Sequence, residues 1–237
     1  MKSIIRNTVS FFEKVARFRC LTVTDNPSDI IVSGYSYPSA KIQQALPPEV
    51  CDRRKVGILY ADIADHARLT GLGEEGVHRR QVESMKIMEA YVSANYGWVA
   101  YIAGDAILAE FSDADNALNC AINMQLSDRE RNAGISSDRQ IHFRIGVNFG
   151  DVIADEGDIF GNAVNLAARL EELAHSEGIC VSESVRHRLR DHSSFKFIAM
   201  GKQYVKNTCD PVEAFWIEFG TERIQQVDRK SDASIGY

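Results

Sequence analysis

The sequence predicts an α+β domain with the element order β-α-β-β-α-β, entered through an N-terminal helical arm. Three observations carry this. A nearly continuous apolar run, Val56 to Ala61, ends at Asp62 and suits a strand buried on both faces. A helical stretch over 74–95, with Val82, Met85, Met88 and Val92 along one side, runs into two short apolar segments around the turn pair Gly104-Asp105. A second helix over 113–132 leads to an alternating strand over 141–148. Together they spell the split β-α-β, ferredoxin-like pattern (βαββαβ), a scaffold that hosts many functions.

Taken in order, residues 1–19 read as an amphipathic helix, because Ile5, Val9, Phe12 and Ala16 recur at helical steps. Packing on its own domain or on a partner is favoured over a membrane-surface role, although the polar side is basic. Residues 20–54 read as an irregular arm, punctuated by Gly34, Pro38, Pro47 and Pro48, with one apolar piece at Ile30-Ile31-Val32. The domain proper is placed at 55–219. Gly97 stops the first helix, and strands at 98–103 and 106–111 form the hairpin. Gly150 is expected to turn the 141–148 strand back through Val152 and Ile153. A helix over 161–174, a strand over 179–182, a short helix over 183–189 and strands at 195–199 and 212–217 complete the domain. Residues 220–237 are polar and read as a flexible tail.

The chain has 237 residues, 45% of them hydrophobic, enough for a sizeable core and too many for a disordered chain. Lys and Arg number 27 against 33 Asp and Glu, a net charge of −6, which argues against a nucleic-acid binder. The five cysteines (Cys20, Cys51, Cys120, Cys180 and Cys209) are widely spaced, which excludes a disulfide framework and the usual zinc spacings. Reduced thiols in a cytoplasmic protein are expected. No transmembrane segment is expected, since no stretch approaches about 20 apolar residues. Charged residues at Glu13, Lys14, Arg17 and Arg19 argue against a signal peptide.

Four segments carry candidate chemistry. Asp62 closes a buried strand and Asp105 sits in the hairpin turn that this topology lays beside it. Two carboxylates brought together repel unless a cation lies between them, and hard oxygen ligands favour magnesium or manganese. Each Asp alone has a plainer reading, as a turn residue or a cap. Asn165 and Arg169 are four residues apart and share one helix face beside Ala167 and Ala168, which suits a phosphate or ribose contact. Alternatively, Arg169 pairs with Glu172 or Glu171. Lys206 follows Tyr204-Val205 in a loop.

These segments, in this order, resemble the class III nucleotidyl cyclase catalytic domain, the adenylate and guanylate cyclase homology domain. The resemblance spans 55–217 through Leu59-Tyr60-Ala61-Asp62-Ile63, the Ala103–Phe111 block, the Asp158–Arg169 segment and Val205-Lys206. It implies two divalent metal ions per site, Mn2+ or Mg2+, held by Asp62, Asp105 and the Ile63 carbonyl. It implies that Asn165 orients the ribose, Arg169 stabilises the transition state and Lys206 contacts the terminal phosphates. The implied reaction turns a nucleoside triphosphate into a 3′,5′-cyclic nucleotide and pyrophosphate. It further implies a head-to-tail homodimer with shared active sites, the aspartates from one chain and the Asn/Arg helix from the other.

Two positions depart from the family pattern. Tyr101 stands where purine cyclases carry a base-reading Lys or Glu, while Asp158, the second base-reading position, is retained. The metal loop reads Asp62-Ile63-Ala64-Asp65-His66 where the family has Gly and an aromatic after the first Asp. Asp65 either repels substrate or points to solvent, and His66 reads as a packing substitute. The Tyr101 exchange and the single-domain size are similar to the pyrimidine (uridylate and cytidylate) cyclases of the Pycsar anti-phage system. That implies UTP as substrate and cyclic UMP as a messenger acting on a separate effector. An adenylate cyclase and a catalytically silent nucleotide-binding homologue are the alternatives.

Overall fold

The computed structural model describes residues 22–23, 29–32, 35–38, 52–65, 74–155, 158–189, 194–204 and 211–220. The chain divides into two compact units, Met1–Cys51 and Asp52–Tyr237. In the first, β1 (Thr22–Val23), β2 (Asp29–Val32) and β3 (Tyr35–Pro38) form a three-stranded antiparallel sheet. This corrects the expectation of an irregular arm: the apolar piece at Ile30–Val32 is the middle strand of a meander. The expected helix over 1–19 lies outside the described residues, as do His66 and Lys206.

The second unit holds one eight-stranded sheet. Its strands are β4 (Asp52–Ile63), β5 (Gly97–Ala103), β6 (Ala106–Phe111), β7 (Phe143–Asp155), β8 (Asp158–Phe160), β9 (Ile179–Ser182), β10 (Phe195–Gln203) and β11 (Val212–Phe219). The helices are α1 (Glu74–Ala94), α2 (Ala114–Asn132), α3 (Asn162–Leu173) and α4 (Glu183–Arg188). The strand order is β10-β11-β9-β7-β4-β6-β5, with β8 paired to β7. The predicted β-α-β-β-α-β unit is β4-α1-β5-β6-α2-β7, and its strands stand as β7-β4-β6-β5 within the sheet. Only the β7–β9 pairing is parallel among those described.

Alternation along β4 divides its side chains between two layers. Leu59, Ala61 and Ile63 join the main core with Met85, Met88 and Val92 of α1 and the apolar residues of α2. Val56 and Ile58 face the other way, against Ala167 of α3. Asp113 caps α2 by accepting from the Asn116 N–H at 2.8 Å, which satisfies a first-turn amide. The Gln125 side chain crosses from α2 and donates to the carbonyls of Phe143 and Gly178, at 3.0 and 2.9 Å.

Gly150 is not a turn. The β7 strand runs on through it and pairs with β4 as far as Ala154 opposite Asp52. The glycine is needed for close approach instead: a Cβ there would meet the Ala163 Cβ of α3 at 2.8 Å. Gly146 serves the same contact more severely, since its Cβ would lie 2.1 Å from the Ala167 carbonyl oxygen. Small residues on β7 therefore seat α3 directly on the sheet.

Asp128 of α2 is 1% exposed, and burial pushes its carboxyl up to about 7, with Arg131 and Arg80 opposing the rise and Glu177 adding to it. The native chain thus holds this proton more tightly than the unfolded chain. The stability Asp128 contributes is full below the ordinary carboxylate range and is lost as pH rises through about 7. Asp128→Asn should therefore gain stability relative to wild type between about pH 5 and pH 8, on the order of 2 kcal/mol. Thermal melts of both proteins across that range measure it; parallel curves would refute it.

Candidate active site

The β4 alternation that buries Ile58 on the α3 face carries Tyr60 and Asp62 to the same face. Asp62 lies at the strand's end, opposite Arg144 on β7 and Ala106 on β6. One residue before Ala106 is Asp105, in the β5–β6 turn that Gly104 closes with φ +61°. Pairing β6 with β4 therefore delivers the turn carboxylate to the strand-end carboxylate, as the sequence predicts. The Asp62 and Asp105 side chains share a hydrogen bond.

Burial, and then the Asp105 charge, holds the Asp62 carboxyl above the usual carboxylate range. Arg144 and a hydrogen bond to the Ile63 backbone pull the other way. Glu171 of α3 is raised to about 7 by burial, against the pull of Arg144, with Asp62 the next group raising it. Tyr60 beneath them is pushed up to about 12 by burial and by Asp62, Glu171 and Asp105. The site is thus a half-buried acidic cluster around one guanidinium. A hydrogen-bonded carboxyl pair that penalises its own ionisation suits a divalent cation, which would relieve the repulsion. Among the described residues no group of three or more His, Cys, Asp or Glu is arranged as a metal site.

On α3, Asn165 is exposed and its N–H bonds the Gly161 carbonyl at 3.2 Å. Arg169 is mostly buried and its guanidinium pairs with Glu172 at 2.5 Å. Of the two partners open to Arg169 in the sequence, Glu172 is the one taken; Glu171 goes to Arg144. Asp65, with φ +55°, is exposed at the surface.

Tyr101 is half-buried and packs with Tyr60, Ala100, Ala163 and Val164 around Ile58 and Leu108. Its phenol is held above the ordinary range by burial and then by the charge of Asp158, so Tyr101 and Asp158 lie near each other. A break in register between Val99 and Tyr101 places this contact. Val99 and Ile102 face the main core, whereas Ala100 and Tyr101 both face α3. Asp158 opens β8 and accepts from the Ile159 N–H at 2.9 Å.

Sequence reasoning missed Arg144, met Tyr60 only as a member of the Leu59–Ile63 block with no role of its own, and met Glu171 only as a rival partner for Arg169. The signal for Arg144 was present: it is the charged residue between Phe143 and Ile145 in an alternating strand, on the face shared with Gly146. What could not be read was the register that sets it against Asp62.

The family model for the "Adenylate and Guanylate cyclase catalytic domain" matches residues 50–219. The chain is 35% identical over 161 residues to "Putative adenylate cyclase 3" of Rhizobium meliloti, an alignment covering 68% of this chain and 27% of that protein. It is 30% identical over 150 residues to "Adenylate cyclase" of Streptomyces coelicolor, covering 62% of this chain and 37% of the relative. The chain therefore spans less than half the length of these curated relatives. Among solved structures, the adenylate/guanylate cyclase/hydrolase from Silicibacter pomeroyi superposes with a TM-score of 0.64 at 34% identity, covering 70% of this chain and 97% of that one. The adenylyl cyclase CyaB from P. aeruginosa gives a TM-score of 0.64 at 21% identity over 73% and 98% of the two chains, a likeness of fold.

Proposed function

The chain belongs to the family of adenylate and guanylate cyclase catalytic domains, and on that premise we propose that it converts a nucleoside triphosphate, UTP before the others, into its 3′,5′-cyclic monophosphate. The observation that carries cyclisation is the hydrogen-bonded Asp62–Asp105 pair on the face that also receives α3. The ribose 3′-oxygen attacks the α-phosphorus, the bond to the bridging oxygen of the β-phosphate breaks, pyrophosphate leaves and the 3′ proton passes to solvent.

Asp62, Asp105 and the Ile63 carbonyl would hold two divalent ions, Mn2+ or Mg2+. Bound there, such ions supply activation of the attacking hydroxyl and neutralise phosphate charge. Asn165 orients the ribose. Arg169 gives up Glu172 for the phosphorane, placing its charge where the transition state gains negative charge. Lys206 holds the terminal phosphates. Residues 55–219 form the catalytic domain, 1–54 its arm and 220–237 a tail. The working unit is a head-to-tail homodimer, in the cytoplasm. Among the described residues no helix is long and apolar enough to cross a membrane.

The preference for UTP rests on Tyr101 beside Asp158. A phenol supplies no lysine charge, and its ring takes up volume that a purine would need. The cyclic nucleotide then serves as a messenger for a separate effector in anti-phage defence. The names of the relatives favour ATP as the second reading. Incubating the protein with manganese and each of ATP, GTP, CTP and UTP, and resolving products by chromatography, separates the two. Cyclic UMP in clear excess is expected, with Tyr101→Ala eroding the preference for UTP over ATP by about tenfold. Cyclic AMP as the main product would assign ordinary adenylate cyclase activity, and no product would assign a silent nucleotide-binding homologue.

A further inference from the structure

We propose that Glu171 is a positioning residue for the metal site: it draws Arg144 away from Asp62 and so leaves the Asp62 carboxylate open to a divalent cation. This rests on reading Asp62 as a metal ligand. The β4–β7 register sets Arg144 directly opposite Asp62 on the same face of the sheet, where cross-strand side chains meet. Left to that pairing, a guanidinium takes a carboxylate with two parallel hydrogen bonds and occupies the oxygens a cation needs. Glu171 intervenes from above. Gly146 lets α3 down so far that a Cβ there would lie 2.4 Å from the Glu171 nitrogen. The Glu171 side chain, in a residue 3% exposed, thereby meets Arg144. The outcome is unequal: Arg144 Nε is 2.8 Å from Glu171 Oε1, while its Nη2 stays 3.6 Å from Asp62 Oδ2. Asp62 thus keeps a neighbouring positive charge without being capped by it.

The arrangement predicts a suppression pattern, read by Mn2+ binding to the full chain through the electron paramagnetic resonance of free Mn2+. In Glu171→Gln, Arg144 is released onto Asp62, and the Mn2+ Kd rises about tenfold or more. Adding Arg144→Gln removes the competing cation and returns the Kd to within a few-fold of wild type. Arg144→Gln alone binds Mn2+ at least as tightly as wild type. Structural damage that does not run through Arg144 would persist in the double variant, and thermal melts of each variant, with binding compared only among variants that melt within a few degrees of wild type, exclude recovery through refolding. Unchanged binding in Glu171→Gln, no recovery in the double variant, or weaker binding in Arg144→Gln overturns the proposal. Asp62→Ala separates the two levels. If Asp62→Ala binds like wild type, the metal reading itself falls and this inference with it. If it binds weakly while Glu171→Gln is unchanged, only this inference falls.

Discussion

Replacing Asp62 by Asn is expected to cut cyclic nucleotide formation about a thousand-fold while leaving the fold as stable as before or more so. The activity loss follows from the proposed ligand set. Metal stabilisation of developing charge is worth several kcal/mol, and each 1.36 kcal/mol is a factor of ten in rate. The amide keeps the volume of the carboxyl and an acceptor for the Ile63 N–H, but it loses the negative charge. The stability follows from the opposite balance. Burial and Asp105 hold the Asp62 carboxyl above its ordinary range, against Arg144. A carboxyl raised in the native chain contributes stability at low pH that is lost as pH rises through its raised value. At pH 8 the wild type bears that penalty and Asp62→Asn does not. Product chromatography and melts of the two proteins test both halves together. Retained turnover would remove Asp62 from the chemistry, and a collapse of the fold would make the loss uninformative about it.

Two inactive chains are expected to restore each other. Arg169→Ala alone should lose about 100- to 1,000-fold in turnover, the usual loss when one donor to a developing charge is removed. Mixed with Asp62→Asn chains in equal amounts, half the dimers are hybrids. In each hybrid one of the two sites is intact under head-to-tail sharing, so activity recovers to roughly a quarter of wild type. Within one chain Arg169 is engaged by Glu172, and among the described residues the cation acting on Asp62 is Arg144. Under the proposed sharing, a partner chain brings its Arg169 to this site. Hybrids verified by differential tags that stay inactive would make each site the property of one chain.

The sequence by itself determined the α+β class, the strand that ends in Asp62, the hairpin that offers Asp105 and the helix that carries Asn165 and Arg169. Each is a local matter: an apolar run of strand length, a Gly-Asp turn and a helical spacing of four are all written in consecutive residues. The same locality misled at Gly150, where a glycine taken for a turn serves close packing of α3 against an unbroken strand. The partners of the site residues were decided by the tertiary structure. Strand register brought Arg144 opposite Asp62. Helix-on-sheet contact at Gly146 delivered Glu171 to Arg144 rather than to Arg169. A break in the β5–β6 register turned Tyr101 toward Asp158 instead of leaving it to simple alternation. The reason is the same in each case. A strand's side-chain period is two, so one residue of slip exchanges its faces. Which slip is taken depends on surfaces contributed from far along the chain.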